Sequence, residues 1–173
     1  GGDRVNLTTL VGPDSDAHVY VPAPADAKKV ADATLVFVNG LGFEGWLSRL
    51  LKAAGGKASV VTTTAGIAPL KVGSEADPHA WQSVANAKIY VANIRDALVK
   101  AAPADAEAFK TNAAAYLAEL DALERDLREA IAKIPEGRRK VISTHNAFGY
   151  FAAAYGVEFV APLGVSTESE ASA

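Results

Sequence analysis

Eight apolar side chains between Phe109 and Ile134 constrain this chain more than any other feature. Phe109, Ala113, Tyr116, Leu120, Leu123, Leu127, Ile131 and Ile134 follow one another at steps of three or four residues. That spacing keeps all eight on one face of a helix. Pro103 opens the stretch and Pro135-Glu136-Gly137 closes it, as helix punctuation should. The spacing predicts a helix of about 30 residues, about 45 Å long at 1.5 Å per residue. Taken alone, such a stripe fits a coiled-coil arm or a helix of a bundle. Strand-like runs on both sides favour a third reading, a long strut packed across an α/β protein.

Upstream, Val5–Val11 is rich in β-branched residues and reads as a strand. Pro24–Val30 reads as a helix with proline in its first turn. Thr34–Val38 is an unbroken apolar run, the signature of a buried parallel strand. A helix with Trp46, Leu47, Leu50 and Leu51 at helical spacing follows, then a strand at Ala58–Val61. Strand, helix, strand, helix, strand predicts a parallel sheet. Thr62–Asp77 reads mostly as loop, and Trp81–Ala101 as a helix. Beyond the strut, Val141–Thr144 and Val157–Val160 read as strands flanking a short helix, Ala147–Tyr155, with Phe148, Phe151 and Tyr155 as its packing face.

Charge and composition narrow the function. Seventeen Lys+Arg against twenty Asp+Glu give a net charge of −3, which argues against a general nucleic-acid binder. Cysteine is absent, so there is no disulfide framework and no thiolate site. A transition-metal site would have to use histidines and carboxylates. There are three histidines, His18, His79 and His145. Each stands at what reads as the end of a strand or the start of a helix, where α/β proteins build ligand sites. Their long separations form no local motif, and ordinary polar loop residues are the plain alternative. Asp14 and Asp16 suit a loop. Asp77 reads equally as a helix N-cap or as a carboxylate orienting an imidazole. Glu44, at an apparent helix start, suits the helix dipole, and Trp46 and Trp81 read as core. No nucleophile elbow, P-loop or dinucleotide fingerprint is present.

Four segments together carry a resemblance: Gly12-Pro13-Asp14-Ser15-Asp16-Ala17-His18-Val19-Tyr20, Ala31 through Leu47 with Asn39-Gly40-Leu41-Gly42-Phe43-Glu44-Gly45-Trp46, Asp77-Pro78-His79-Ala80-Trp81, and Ser143-Thr144-His145-Asn146-Ala147-Phe148-Gly149-Tyr150-Phe151. Gly164-Val165-Ser166-Thr167-Glu168 adds a fifth. The sequence resembles the cluster A-I metal-binding solute-binding proteins that serve ABC importers of zinc and manganese. The resemblance implies two α/β lobes with parallel sheets, joined by one long rigid helix, with the metal in the cleft. It divides the chain into a first lobe (1–102), a linking helix (103–135) and the start of a second lobe (136–173). It carries the metal ligands over to His18, His79 and His145, and a third histidine resembles the zinc-type members, with manganese as the alternative.

The same resemblance implies a binding protein, not an enzyme. It would be periplasmic, or lipid-anchored at the outer face of the cytoplasmic membrane, and would have an ABC permease as partner. It further implies a strand and helix before Gly1 and a fourth ligand, Asp or Glu, beyond Ala173. The chain is therefore expected to be part of a protein of about 270 residues, and to self-associate or pair with the missing part. A surface adhesin and a zinc-dependent hydrolase are the rivals.

Overall fold

A computed structural model describes residues 1–167. Helix α1 (Pro24–Asp32) leads into strand β1 (Leu35–Val38), helix α2 (Leu47–Ala53) and strand β2 (Ser59–Thr62). β1 and β2 pair in parallel, with Leu35 opposite Ser59 and Val38 opposite Thr62. A small antiparallel hairpin, β3 (Lys71–Val72) and β4 (Glu75–Ala76), lies within the stretch expected to be loop. A 3₁₀ turn at Ala80–Gln82 precedes helix α3 (Val84–Ala101), and another at Pro103–Asp105 precedes helix α4 (Ala106–Ala132). Strand β5 (Lys140–Ile142), helix α5 (Gly149–Tyr155) and strand β6 (Glu158–Val160) complete the described order. β5 and β6 also pair in parallel. The mixed α/β class, the parallel sheets and the long helix are as the sequence predicts. Glu168 of the fifth resembling segment lies outside the described residues.

Two expectations fail. Val5–Val11 is not a strand. Its β-branched composition favours extended backbone, but it joins no ladder; Leu7 is left exposed, while Leu10 and Val11 pack on the first core. Nor is the run Thr34–Val38 wholly buried: Val38 is, but Leu35, Val36 and Phe37 are half-buried and Thr34 is exposed.

Among the described residues the packing forms two separate cores. Val30, Val38, Trp46, Leu47 and Leu50 make the first, between α1, β1 and α2. Val84, Leu120, Ile131, Tyr155 and Val157 make the second, between α3, α4 and the α5–β6 segment. α4, 27 residues and about 40 Å long, packs along α3 and reaches α5. Only part of the stripe is covered: Phe109, Ala113, Leu120 and Ile131 are buried, whereas Tyr116 and Leu123 are exposed, and Ile134, also exposed, lies past the end of α4. It is thus a strut packed on one flank, not the seam of a coiled coil.

The start of α1 is fixed by Asp26. Its carboxylate accepts the Ala23 N–H (2.8 Å), the Tyr20 hydroxyl (2.7 Å) and the Lys29 ammonium (2.9 Å). Tyr20 in turn meets Trp46 edge-on at 5.0 Å. Tyr20 thus ties the loop that carries His18 both to the entry of α1 and to the start of α2.

Candidate metal centre

Each histidine is held by a different part of the fold. His18 lies in the loop before α1. The Trp46 indole N–H donates to the Ala17 carbonyl at 2.7 Å, and the Asp16 carboxylate accepts the His18 backbone N–H at 2.9 Å. His79 lies between β4 and the turn that opens α3. Past the end of β1, Thr63 and Thr64 donate their hydroxyls to the Val38 and Asn39 carbonyls. Asn39 then donates its amide to the Pro78 carbonyl at 2.9 Å. His145 follows β5. Ser143 N–H donates to Val160, and His145 itself bridges in parallel to Leu163. The β5–β6 pairing thus runs on to the histidine.

Gly40 supports this frame for a steric reason. Its φ is +85°, and a Cβ there would lie 2.6 Å from Thr62 Cγ2. A side chain would push β1 away from the threonines that hold its end.

The three rings converge. His79 Nε2 lies 3.1 Å from His18 Nε2 and 3.3 Å from His145 Nε2. One nitrogen from each of the three falls within 4.8 Å of the others. His18 and His79 are buried and His145 is partly so. Burial, and then the neighbouring His79, lower the His145 pKa below the ordinary imidazole value, with Asp16 and Asp77 pulling the other way. That shift favours the neutral ring, the form that can donate a lone pair to a cation.

The carboxylates sort differently from their sequence reading. Asp77 is fully buried, and its Oδ1 accepts both the backbone N–H and the Nδ1 of His79, at 3.0 and 2.8 Å. Of its two readings, orientation of an imidazole is the one realised; it makes no cap on α3. Asp14 is a turn residue with φ +60°, which Asp tolerates. Asp16 does more than shape a loop. Burial would raise its pKa, but the Thr167 hydroxyl and then the His18 backbone N–H beside it bring it below the carboxylate norm. Glu44 does not start a helix. It accepts the N–H groups of Asn39 and Gly40 at 2.6 and 3.1 Å, and α2 begins only at Leu47. Its carboxylate is spent on the turn because the left-handed residues Gly40, Leu41 and Gly42 fold the chain back.

Aromatic rings wall the cluster. Phe43 meets His18 edge-on at 4.6 Å, and Trp81 meets His79 at 5.3 Å. Trp46 is core, as expected; Trp81 is 37% exposed and belongs to the wall instead. Its helical neighbourhood suggested core, and only the 3₁₀ turn before α3 swings it to the site.

Residues 1–173 match the family described as ZnuA, zinc-uptake complex component A, periplasmic. The chain belongs to this family. It is 40% identical, over 92% of its length and 53% of the relative's, to the manganese-binding lipoprotein MntA of Halalkalibacterium halodurans. It is 36% identical, over 98% of its length and 56% of the relative's, to the iron-binding protein YfeA of Yersinia pestis. Among solved structures, the periplasmic zinc-binding protein TroA of Treponema pallidum superposes with a TM-score of 0.94 at 34% identity, covering 99% of this chain and 64% of that one. The chain therefore spans a little over half the length of these curated relatives. The likeness to TroA and to a structure of ZnuA (TM-score 0.88, 32% identity, covering 100% of this chain and 67% of that one) assigns the two-lobe fold of the family.

Proposed function

We propose that this chain holds a divalent transition metal, zinc in the first instance, for delivery to the permease of an ABC importer. The observation that carries the reading is the convergence of His18, His79 and His145 within 4.8 Å. Neutral imidazole is a good zinc donor, and three of them leave one tetrahedral position for a carboxylate, which we assign to a part of the protein beyond this chain. The division into lobes 1–102 and 136–173 with 103–135 as the link is part of the same reading; the second core draws on all three, with Val84 from the first, Leu120 and Ile131 from the link, and Tyr155 and Val157 from the last. The periplasmic and lipoprotein names of the relatives support an extracytoplasmic place. No bond is made or broken in this role. Glu44 caps a turn and Asp77 stands behind His79, so neither faces the cluster as a hydrolytic base would.

Manganese is the second reading, favoured by the relatives named manganese-binding. Metal analysis and competitive calorimetry separate the two. Zinc is expected to bind more tightly than manganese, because manganese prefers oxygen donors. A chain that takes manganese in preference refutes the zinc assignment, and unchanged zinc affinity in His79→Ala refutes the site. The same reading has the 173-residue chain self-associate, or pair with the rest of the protein, through Val141, Ile142 and Val160, which are 43%, 82% and 44% exposed. A clean monomer on size exclusion would contradict it.

A further inference from the structure

Asp77 presents a problem that hydrogen-bond bookkeeping brings out. Its Oδ1 is satisfied twice over by His79, but its Oδ2, equally buried, accepts no hydrogen bond among the described residues. A buried carboxylate oxygen without a donor is costly, and native proteins keep such groups where they serve a purpose. What lies against it is α5. A Cβ built on Gly149 would stand 2.7 Å from Asp77 Oδ2 and 3.9 Å from its Cγ. Gly149 has no left-handed φ to account for it, so the need here is for space. The next residue, Tyr150, is buried, donates its hydroxyl to the Asp77 carbonyl at 2.9 Å and accepts the Leu70 N–H at 3.0 Å. Asp77 N–H donates back to the Leu70 carbonyl at 2.8 Å. The carboxylate is thus boxed in: backbone pinned by Leu70 and Tyr150, one oxygen on His79, the other against a residue with no side chain.

We propose that Asp77 is a positioning residue that holds His79 with its proton on Nδ1 and its Nε2 lone pair turned toward His18 and His145, and that Gly149 and Tyr150 hold Asp77 in place. An ionised carboxylate offers only acceptors. The 2.8 Å contact to Nδ1 therefore requires the proton on that nitrogen and leaves Nε2 bare. Nε2 is the atom that lies 3.1 and 3.3 Å from the other two rings. His145 and Gly149 are four residues apart on one continuous stretch. The segment that brings the third imidazole into the cluster also shapes the seat of the carboxylate behind the second. Assembly of the centre and orientation of its most buried ring are therefore one event.

The inference rests on the proposed metal site for its consequence, but not for its geometry, and the test keeps the two apart. The three imidazoles of the full 173-residue chain, stripped with chelator and ¹⁵N-labelled, are read by long-range proton–nitrogen NMR. In the wild type, His79 is expected with Nδ1 protonated and Nε2 bare; a proton on Nε2 overturns the proposal without any variant. In Asp77→Ala and in Gly149→Ala, which alters no hydrogen-bonding group, the His79 ring is expected to shift toward the Nε2-protonated form. A ring state unchanged in both overturns it, and either variant suffices should the other not fold. Zinc titration is expected to show a 10- to 100-fold loss of affinity in the same variants, the usual effect of removing such a partner. A loss that tracks only the melting temperature, with the ring unmoved, also overturns it. No zinc binding by the wild type, with the ring state still governed by Asp77, removes the metal reading and supports the positioning role.

Discussion

Replacing His79 with alanine is expected to cost the metal-free protein far more than replacing His145, although the two contribute equally many donors to the cluster. The difference comes from what each ring leaves behind. His79 and Asp77 have side-chain exposures of 2% and 0%. His79→Ala strips the Asp77 carboxylate of its Nδ1 donor in a site that water does not reach. Leaving a buried acceptor without its donor costs about 1–3 kcal/mol, and more when the acceptor is charged. The backbone N–H of residue 79 remains on Oδ1, so about 3 kcal/mol is the working figure. For a chain of this size that lowers the melting temperature by roughly 6–12 °C. His145 is only partly buried, and its alanine variant is expected to stay within about 1 kcal/mol of wild type. Thermal and urea unfolding of chelator-treated protein read both. The Asp77→Ala/His79→Ala double variant should lose less than the sum of the singles, because no stranded charge remains. Equal losses for His79→Ala and His145→Ala, or strict additivity in the cycle, would refute the reasoning.

Two further outcomes follow from the packing and the charges. Lys29 first, then Tyr20 and the Ala23 N–H, lower the Asp26 pKa from 3.8 to about 2. A depressed carboxylate stabilises the fold above its unfolded pKa and stops doing so as pH falls through the folded value. Asp26→Asn should thus be less stable than wild type at pH 7, with the gap closing between about pH 4 and pH 2; a gap independent of pH in urea titrations contradicts this. On α4, Leu120→Ala is expected to cost about 2–5 kcal/mol because Leu120 lies in the second core, whereas Leu123→Ala, 46% exposed on the same stripe, should cost under about 1 kcal/mol. Similar losses for both would mean that the whole stripe is covered.

Periodicity made α4 legible because a long helix writes its face into the sequence many times over. It did not say how much of that face is covered. Tyr116 and Leu123 fit the stripe as well as Leu120 does, and only the placement of α3 and the α5–β6 segment separates them; Ile134 fits it too, but the helix ends before it. Val5–Val11 misled for the complementary reason. β-Propensity describes a chain suited to a ladder, and whether a partner strand is beside it is not a local property. The histidines were visible individually, but no spacing rule joins residues so far apart, and only the resemblance of their flanking motifs grouped them. Asp77 stood two residues from His79 in plain view, yet a cap and an orienting carboxylate look identical until the rotamer is known. The roles of Gly149 and Tyr150 were not legible at all, because they depend on contact with a segment distant in the chain.

The separations of 61 and 66 residues between the converging rings have a thermodynamic consequence. An unfolded chain retains no local chelate from residues so widely spread, so a cation at this centre is a ligand of the folded state alone. By mass action such a ligand deepens the native well by about 2.7 kcal/mol at one hundred times its dissociation constant. Under the proposed function, loading would then do more than fill a site. It would withdraw the chain from the open states that proteases sample, so the loaded and empty forms should differ in how long they survive.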